Sequence, residues 1–335
     1  MNRAIRGTLV GVFGVLMSAA AFAQTKEVTI GYQDMVVPYR MAQEAKALEA
    51  ATGYKINWKQ FGGGGEVIKA MASGAVQVGE VGSAGISAAV SRGEPLELFW
   101  IIDDIGDAEA LVARKGSGIT KVADLKGKRV AMPFNSTTHF HLMVALDQAK
   151  VNPADVKILN MRPPEVRAAW QRGDIDATFI WDPVLAEAKK DGSIVITSGQ
   201  ITASTGKATF DGYVANKDWA KANRDFMVKF VKVIAASDAK YRAEGKNWKV
   251  GGAEVAAIAK WSGSKPEHVL AAVALYKFPS SKDQATAWLG GGKGSIAAKA
   301  LAATAEFQLS QKQIEKALPD YSVVVNASYA AEAAK

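Results

Sequence analysis

Strand-length apolar runs alternate with helix-length periodic segments along most of this chain, and that alternation restricts the possible folds more than any other feature. Residues 26–33 (KEVTIGYQ) read as a strand running into a loop, and helical spacing follows from Pro38 to Thr52 with Gly53 as its stop. Residues 54–61 alternate as a second strand. After the glycine run 62–65 comes a helix over 66–73 closed by Gly74, a short strand over 76–79 leading to Gly82-Ser83, a helix through 88–92 and a strand over 96–102. A second cycle starts at Glu109, with a new strand reached through residues 122–131. It continues as helix 138–150, strand 156–160, helix 164–172, strand 177–181 and helix 183–190. Residues 210–216 read as a strand returning to the first unit, and the tail 218–335 is helix-rich and alanine-rich, broken at Pro279 and at glycines 290–292. Strand and helix at βαβ spacing predict an α/β fold whose sheets are mostly parallel and flanked by helices.

The first residues point to export. Arg3 and Arg6 precede an apolar run from Leu9 to Met17, and Ala21-Phe22-Ala23 has the small-x-small form of a signal-peptidase site, so cleavage is expected after Ala23. The run is shorter than the roughly 20 residues a membrane span needs. An uncleaved anchor or an amphipathic N-terminal helix is the alternative reading. With no cysteine in the chain, neither a lipid-attached lipoprotein nor a disulfide framework is available. Loss of residues 1–23 lowers the formal charge from +8 to +6. The lysines are scattered rather than clustered, which predicts a solvated surface and no nucleic-acid partner. The remaining length predicts two domains.

Several chemistries lack their residues. The glycines at 62–65 do not fit the phosphate-loop spacing, since Lys69 is not followed by Ser or Thr, and no dinucleotide fingerprint opens a helix. A turn that brings backbone close to a ligand, or simply a flexible turn, accounts for them. Three histidines and no cysteine make a zinc site improbable, because His139 and His141 point to different sides of a helix and His268 is remote. No nucleophile elbow occurs. The adjacent Asp103 and Asp104 read as solvated or capping acids and are weak evidence for a glycosidase-like pair.

The stretch Met132-Pro133-Phe134-Asn135-Ser136-Thr137-Thr138-His139 leaves a strand and opens a helix with three hydroxyls in succession. A helix N-terminus offers unpaired N–H groups and the positive end of its dipole to an anion, and Ser136, Thr137 and Thr138 would add hydroxyl donors, with His139 beside them. Ordinary N-capping by one of them is the competing explanation. Ser83 after the third strand and Gln33 after the first are weaker polar candidates at carboxyl ends of strands, where open α/β sheets bind ligands. Trp181-Asp182 and Phe210-Asp211 place an aromatic beside a carboxylate, which suits an ammonium through cation–π attraction and a charge-assisted hydrogen bond. Glu109 precedes the other crossing strand. A core tryptophan and capping or surface acids would explain the same residues.

Taken together, Gly31-Tyr32-Gln33, Val81-Gly82-Ser83, Glu109-Ala110-Leu111-Val112, Pro133 to His139 and Ala168-Ala169-Trp170-Gln171-Arg172-Gly173-Asp174-Ile175-Asp176 resemble the periplasmic taurine-binding proteins of ABC importers, within the sulfonate and nitrate solute-binding family. The resemblance runs from about residue 26 to about 330. It implies a type II periplasmic binding protein fold: two lobes, two crossing strands as the hinge, and an interlobe cleft. Residues 24–112 and 213–335 would form the first lobe, and residues 113–212 the second. It implies capture of taurine or a close sulfonate, with another small anion or zwitterion such as an alkanesulfonate, nitrate or an amino acid as the alternative, no enzymatic activity, no cofactor, and delivery by a monomer to a membrane permease. Ser136, Thr137, Thr138 and His139 would face the sulfonate, with Ser83 and Gln33 as further polar contacts. Glu109 and Asp211 would hold the amino group beside Trp181. Asp182 stands where the resemblance leads one to expect an uncharged residue, and Trp170 to Asp176 would be structural. An enzyme on the same fold would need an activated base, nucleophile or metal. A structural periplasmic protein would not need hydroxyls and glycines gathered at strand ends.

Overall fold

The computed structural model describes residues 26–335, so the export signal and its cleavage site lie outside the described residues. The first sheet uses β1 (Glu27–Tyr32), β2 (Lys55–Gln60), β3 (Val78–Gly82), β4 (Leu96–Asp104) and a late strand, Phe210–Asn216. The second uses β5 (Glu109–Arg114), β6 (Arg129–Met132), β7 (Lys157–Asn160), β8 (Ala177–Trp181) and β9 (Gly192–Thr197), which makes Phe210–Asn216 β10. Spatial orders are β2-β1-β3-β10-β4 and β7-β6-β8-β5-β9, so the two sheets repeat one plan. In each, three neighbouring strands run parallel, and the fourth (β10 in the first sheet, β5 in the second) is antiparallel to both of its neighbours. The α/β expectation of mostly parallel sheets flanked by helices therefore holds.

The expected lobe boundaries at 112/113 and 212/213 fall inside β5 and β10. Each strand instead stays whole within one sheet, because dividing it would orphan part of its backbone ladder. The chain passes between sheets through residues 105–108 and again after β9, between residues 198 and 209. β9 was not expected from the sequence. It is an edge strand that exposes Ile194, and it starts at a glycine just past the turn that ends a helix, so its alternation is short and weak.

Helices cover the sheets where the 3.6-residue pattern indicates. The helix expected over 38–52 is two, α1 (Arg40–Glu44) and α2 (Ala47–Thr52), because Lys46 between them adopts a left-handed φ of 50° that the helical ladder cannot pass through. α3 (Gly64–Ala72), α4 (Ser83–Ser91) and α5 (Thr137–Gln148) start directly after strands or turns at the cleft. α6 (Pro163–Arg172), α7 (Val184–Ala188) and α8 (Ser198–Thr205) complete the second lobe. Every residue of α4 is buried, in keeping with a composition of Ser, Ala and Gly broken only by Ile86 and Val90, since mostly small side chains fit a helix packed on all sides. One neighbour is the C-terminal helix Ile296–Ser310, whose Leu301 carbonyl accepts from Ser87 Oγ at 2.9 Å. Phe307 of that helix meets Phe140 of α5 edge-on at 5.5 Å, so the tail anchors in the second lobe's core as well as in the first's.

Candidate functional site

Three helix N-termini meet between the two sheets. α3 begins at Gly64, α4 at Ser83 and α5 at Thr137, and glycines allow their close approach. A Cβ on Gly64 would stand 3.6 Å from the Gly82 amide nitrogen, and one on Gly82 would stand 2.8 Å from Thr137 Cγ2 across the cleft. Neither α3 nor α4 has a side-chain cap, so their first-turn N–H groups are left for another acceptor. Together the three dipole ends make a strongly positive point without a cationic side chain.

A narrow cavity lies at this junction. Gly64, Gly82, Ser136 and Thr137 line it on the side of the helix ends. Glu109 and Asp211 line it elsewhere, with Trp181, Tyr276, Gln33 and Met35 completing the wall. None of these residues is Lys, Arg or His. Glu109 is held on both oxygens: Thr137 Oγ1 donates to one and Ser198 Oγ to the other at 3.1 Å. Burial pushes its carboxyl up to about 7, against the lowering effect of those two hydroxyls. Asp211 is pushed well above the carboxylate range, first by burial and then by the negative fields of Glu109 and Glu80. Trp181 Nε1 donates to Asp34 Oδ1 at 2.7 Å, a hydrogen bond between the lobes.

Six of the ten expected site residues reach this cavity: Gln33, Glu109, Ser136, Thr137, Trp181 and Asp211. The other four are turned elsewhere. Ser83 is buried with its Oγ accepting from the Phe210 backbone at 3.3 Å. Thr138 lies fully buried against Ser136, hydroxyl to hydroxyl at 2.8 Å. His139 is half-buried and stacks on Phe134 with centroids 4.5 Å apart, where burial lowers its pKa to about 4 and keeps the ring neutral. Asp182 Oδ1 accepts from the Ala186 backbone at 2.8 Å, a helix-end role in place of ligand contact. The competing capping explanation also applies to Ser136, which accepts from His139 N at 3.1 Å while lining the cavity. His141 is engaged by Ser198 Oγ at 2.7 Å and by the Lys207 carbonyl at 2.9 Å. Among the described residues no group of three or more His, Cys, Asp or Glu is placed to hold a metal ion.

Sequence reasoning passed over Asp34, Met35 and Tyr276. The first two adjoin Gln33, whereas Tyr276 comes from the helical tail and carries no local signal. Gln33 is fixed from behind. Its backbone N–H donates to Glu80 Oε1 at 3.2 Å, its amide donates to the Glu80 carbonyl at 3.1 Å, and its own carbonyl accepts from Arg40 Nη2 at 2.5 Å.

The glycine run contributes to the seam where the lobes touch. Gly62 faces the Arg162 side chain, Gly63 faces Pro133, and Gly65 faces the Phe134 carbonyl, where a Cβ would stand 3.5 Å away. Gly85 on α4 is tightest against backbone: its Cβ would be 3.0 Å from the Asn135 carbonyl oxygen. Gly85→Val is therefore expected to wedge the lobes apart. Small-angle scattering should then show no contraction at ligand concentrations that compact the parent protein, with affinity falling by about tenfold or more. Full contraction and unchanged affinity would reject this role for the seam.

A family model described as NMT1/THI5 like matches residues 45–244. The chain is similar to the taurine-binding periplasmic protein of Escherichia coli K12, at 34% identity over 94% of this chain and 97% of that protein. It is also similar to a putative aliphatic sulfonates-binding protein of the same organism, at 28% identity over 84% of this chain and 86% of the relative. Among solved structures it resembles the alkanesulfonate-binding protein SsuA from Xanthomonas axonopodis pv. citri bound to MOPS. That likeness has a TM-score of 0.71 at 22% identity and covers 93% of this chain and 98% of the other.

Proposed function

Because this chain belongs to the NMT1/THI5-like family, as a relative of the periplasmic taurine-binding proteins, we propose that it captures taurine or a close amine-bearing sulfonate for an ABC importer. The observation that carries this reading is the polarity of the cavity: three helix N-termini on one side, two buried carboxyls on another, and no cationic side chain in the wall. An anion fits the dipole ends, which stabilise charge through backbone N–H groups. An ammonium fits Glu109 and Asp211, with Trp181 supplying an aromatic wall. Taurine carries both charges on a two-carbon stem, within the reach of so narrow a cavity.

On this reading the protein binds without transforming its ligand. Both histidines of α5 are packed away, one on Phe134 and one between Ser198 and the Lys207 carbonyl, and both oxygens of Glu109 are already engaged by hydroxyls. The lobes close by hinge motion at residues 105–108 and 206–209, where the chain leaves the last element of one lobe for the first strand of the other. The protein works as an exported periplasmic monomer, cleaved after Ala23, and hands its ligand to a membrane permease. A thermal-stability screen against taurine, ethanesulfonate, nitrate and amino acids tests the ligand class. Taurine at about a hundred times its Kd should stabilise the fold by about 2.7 kcal/mol. Stabilisation by nitrate or an amino acid with none by either sulfonate would overturn the assignment.

A further inference from the structure

Asp103 sits near the end of β4, fully buried, and neither of its carboxyl oxygens has a hydrogen-bond partner among the described residues. Its register partner on β10 is Asp211, whose carboxyl lines the cavity. The charged groups acting on Asp103 from the surrounding elements are all acidic: Asp211 on β10, Glu80 on β3, Glu109 on β5 and its own neighbour Asp104. Tyr276, in the loop beyond Pro266–Val273, shares that negative field. Of the cations nearby, Arg40 is paired with Glu80, and Lys277 acts on the adjacent Asp104. A buried carboxylate without a partner is costly, and folded proteins keep one chiefly where it serves a function. Two carboxyls this close do not ionise together readily, and one proton shared between them relieves both the repulsion and the missing hydrogen bond.

We propose that Asp103 and Asp211 hold one proton between them in the ligand-free protein, and that an ammonium group entering the cleft expels it. Asp103 thereby acts as a positioning residue that selects amine-bearing ligands. The inference rests on the amine-bearing sulfonate reading above. The exchange balances: a protonated pair of net charge −1 takes up an ammonium, releases one proton to solvent, and becomes a doubly charged pair against the new cation. Burial and mutual repulsion hold both carboxyls well above their ordinary range, in keeping with a proton retained near neutrality. An alkanesulfonate without the amine offers no charge to replace the proton, so the pair keeps it. Uptake of the amine ligand then strengthens as pH rises, by at most about tenfold per pH unit while one proton is released.

Calorimetric titration at about pH 7, in two buffers of different ionisation enthalpy, counts the protons released. Taurine should release at least roughly one proton more than ethanesulfonate, since Glu109, raised to about 7, also gives up part of a proton to the same ammonium, and Asp103→Asn should cut the taurine release by roughly one proton while leaving ethanesulfonate affinity within about threefold. Equal release with the two ligands, or release undiminished in Asp103→Asn, would overturn the inference. Should the variant not fold, the size of the difference on the parent protein decides: Glu109 at about 7 accounts for only part of a proton, so a difference well below roughly one proton overturns the inference. Binding of neither sulfonate would overturn the functional reading and this inference with it, whereas taurine binding without proton release overturns this inference alone.

Discussion

Arg40→Met is expected to destabilise the folded chain by about 3–5 kcal/mol, a large share of the roughly 5–15 kcal/mol that holds a domain folded. Arg40 and Glu80 are both completely buried, 3.3 Å apart, and Arg40 also stacks over the rings of Tyr32 and Tyr39 at 4.9 and 4.4 Å. Removing the guanidinium strands the Glu80 carboxylate beside the Tyr39 hydroxyl with no cation. Burial already pushes Glu80 upward, and Arg40 is the main influence opposing it, so the variant's carboxyl should protonate more readily. Loss of stability should accordingly be largest at alkaline pH and shrink as pH falls. The double substitution Arg40→Met with Glu80→Leu should recover much of the loss, because no unpaired charge is left behind. Urea unfolding of the three proteins checks this, and a single-variant cost below about 1 kcal/mol would show that the pair is not what holds this loop. Arg40 and Glu80 also fix Gln33 at the cleft, so the single variant should bind taurine more weakly even where it remains folded.

Asp211→Asn is expected to weaken taurine binding by about 2–5 kcal/mol, roughly thirtyfold to several-thousandfold, while changing ethanesulfonate affinity by less than about threefold. The substitution keeps the shape of the side chain and removes only the charge offered to an ammonium. Calorimetry with both ligands gives the ratio directly, and equal losses would remove Asp211 from amine recognition. The ligand-free protein should respond in the opposite sense. Asp211 is raised by burial, so in the folded state it holds its proton to higher pH than it does in the unfolded chain. Stability that depends on this proton is complete below the ordinary carboxyl range and is lost as pH rises through the folded-state pKa. Asn has no such loss, so the variant should be more stable than the parent at alkaline pH and closest to it under acid conditions. Weaker binding in a firmer fold is the expected trade at a site that keeps uncompensated charge for its ligand.

How far the cleft was legible depended on the kind of signal. Strand ends and helix starts are local features, and Gly82, Ser136, Thr137 and Gln33 could be placed at carboxyl ends of strands from periodicity and turn residues alone. Glu109 and Asp211 were legible as acids on strands that return beside another unit. The direction of each side chain was not. Ser136, Thr138 and His139 sit on one short stretch, yet one reaches the cavity, one packs beneath it, and one stacks on Phe134, according to which face of α5 meets the sheet. Asp182 and Ser83 were drawn to nearby backbone N–H groups, a competition that sequence leaves undecided between cap and ligand.

The sequence by itself determined the βαβ order, its second cycle from Glu109 and the points where chemistry could collect, because each follows from periodicities of two and 3.6 and from residues that start or stop elements. Tertiary structure alone decided that α3, α4 and α5 point their N-termini at one spot, that Tyr276 from the distant tail closes the wall, and that Asp103 lies unpaired behind Asp211. Those outcomes depend on register and packing between segments far apart in the chain. A carboxyl's charge, in turn, depends on how much solvent and which neighbours that packing leaves around it.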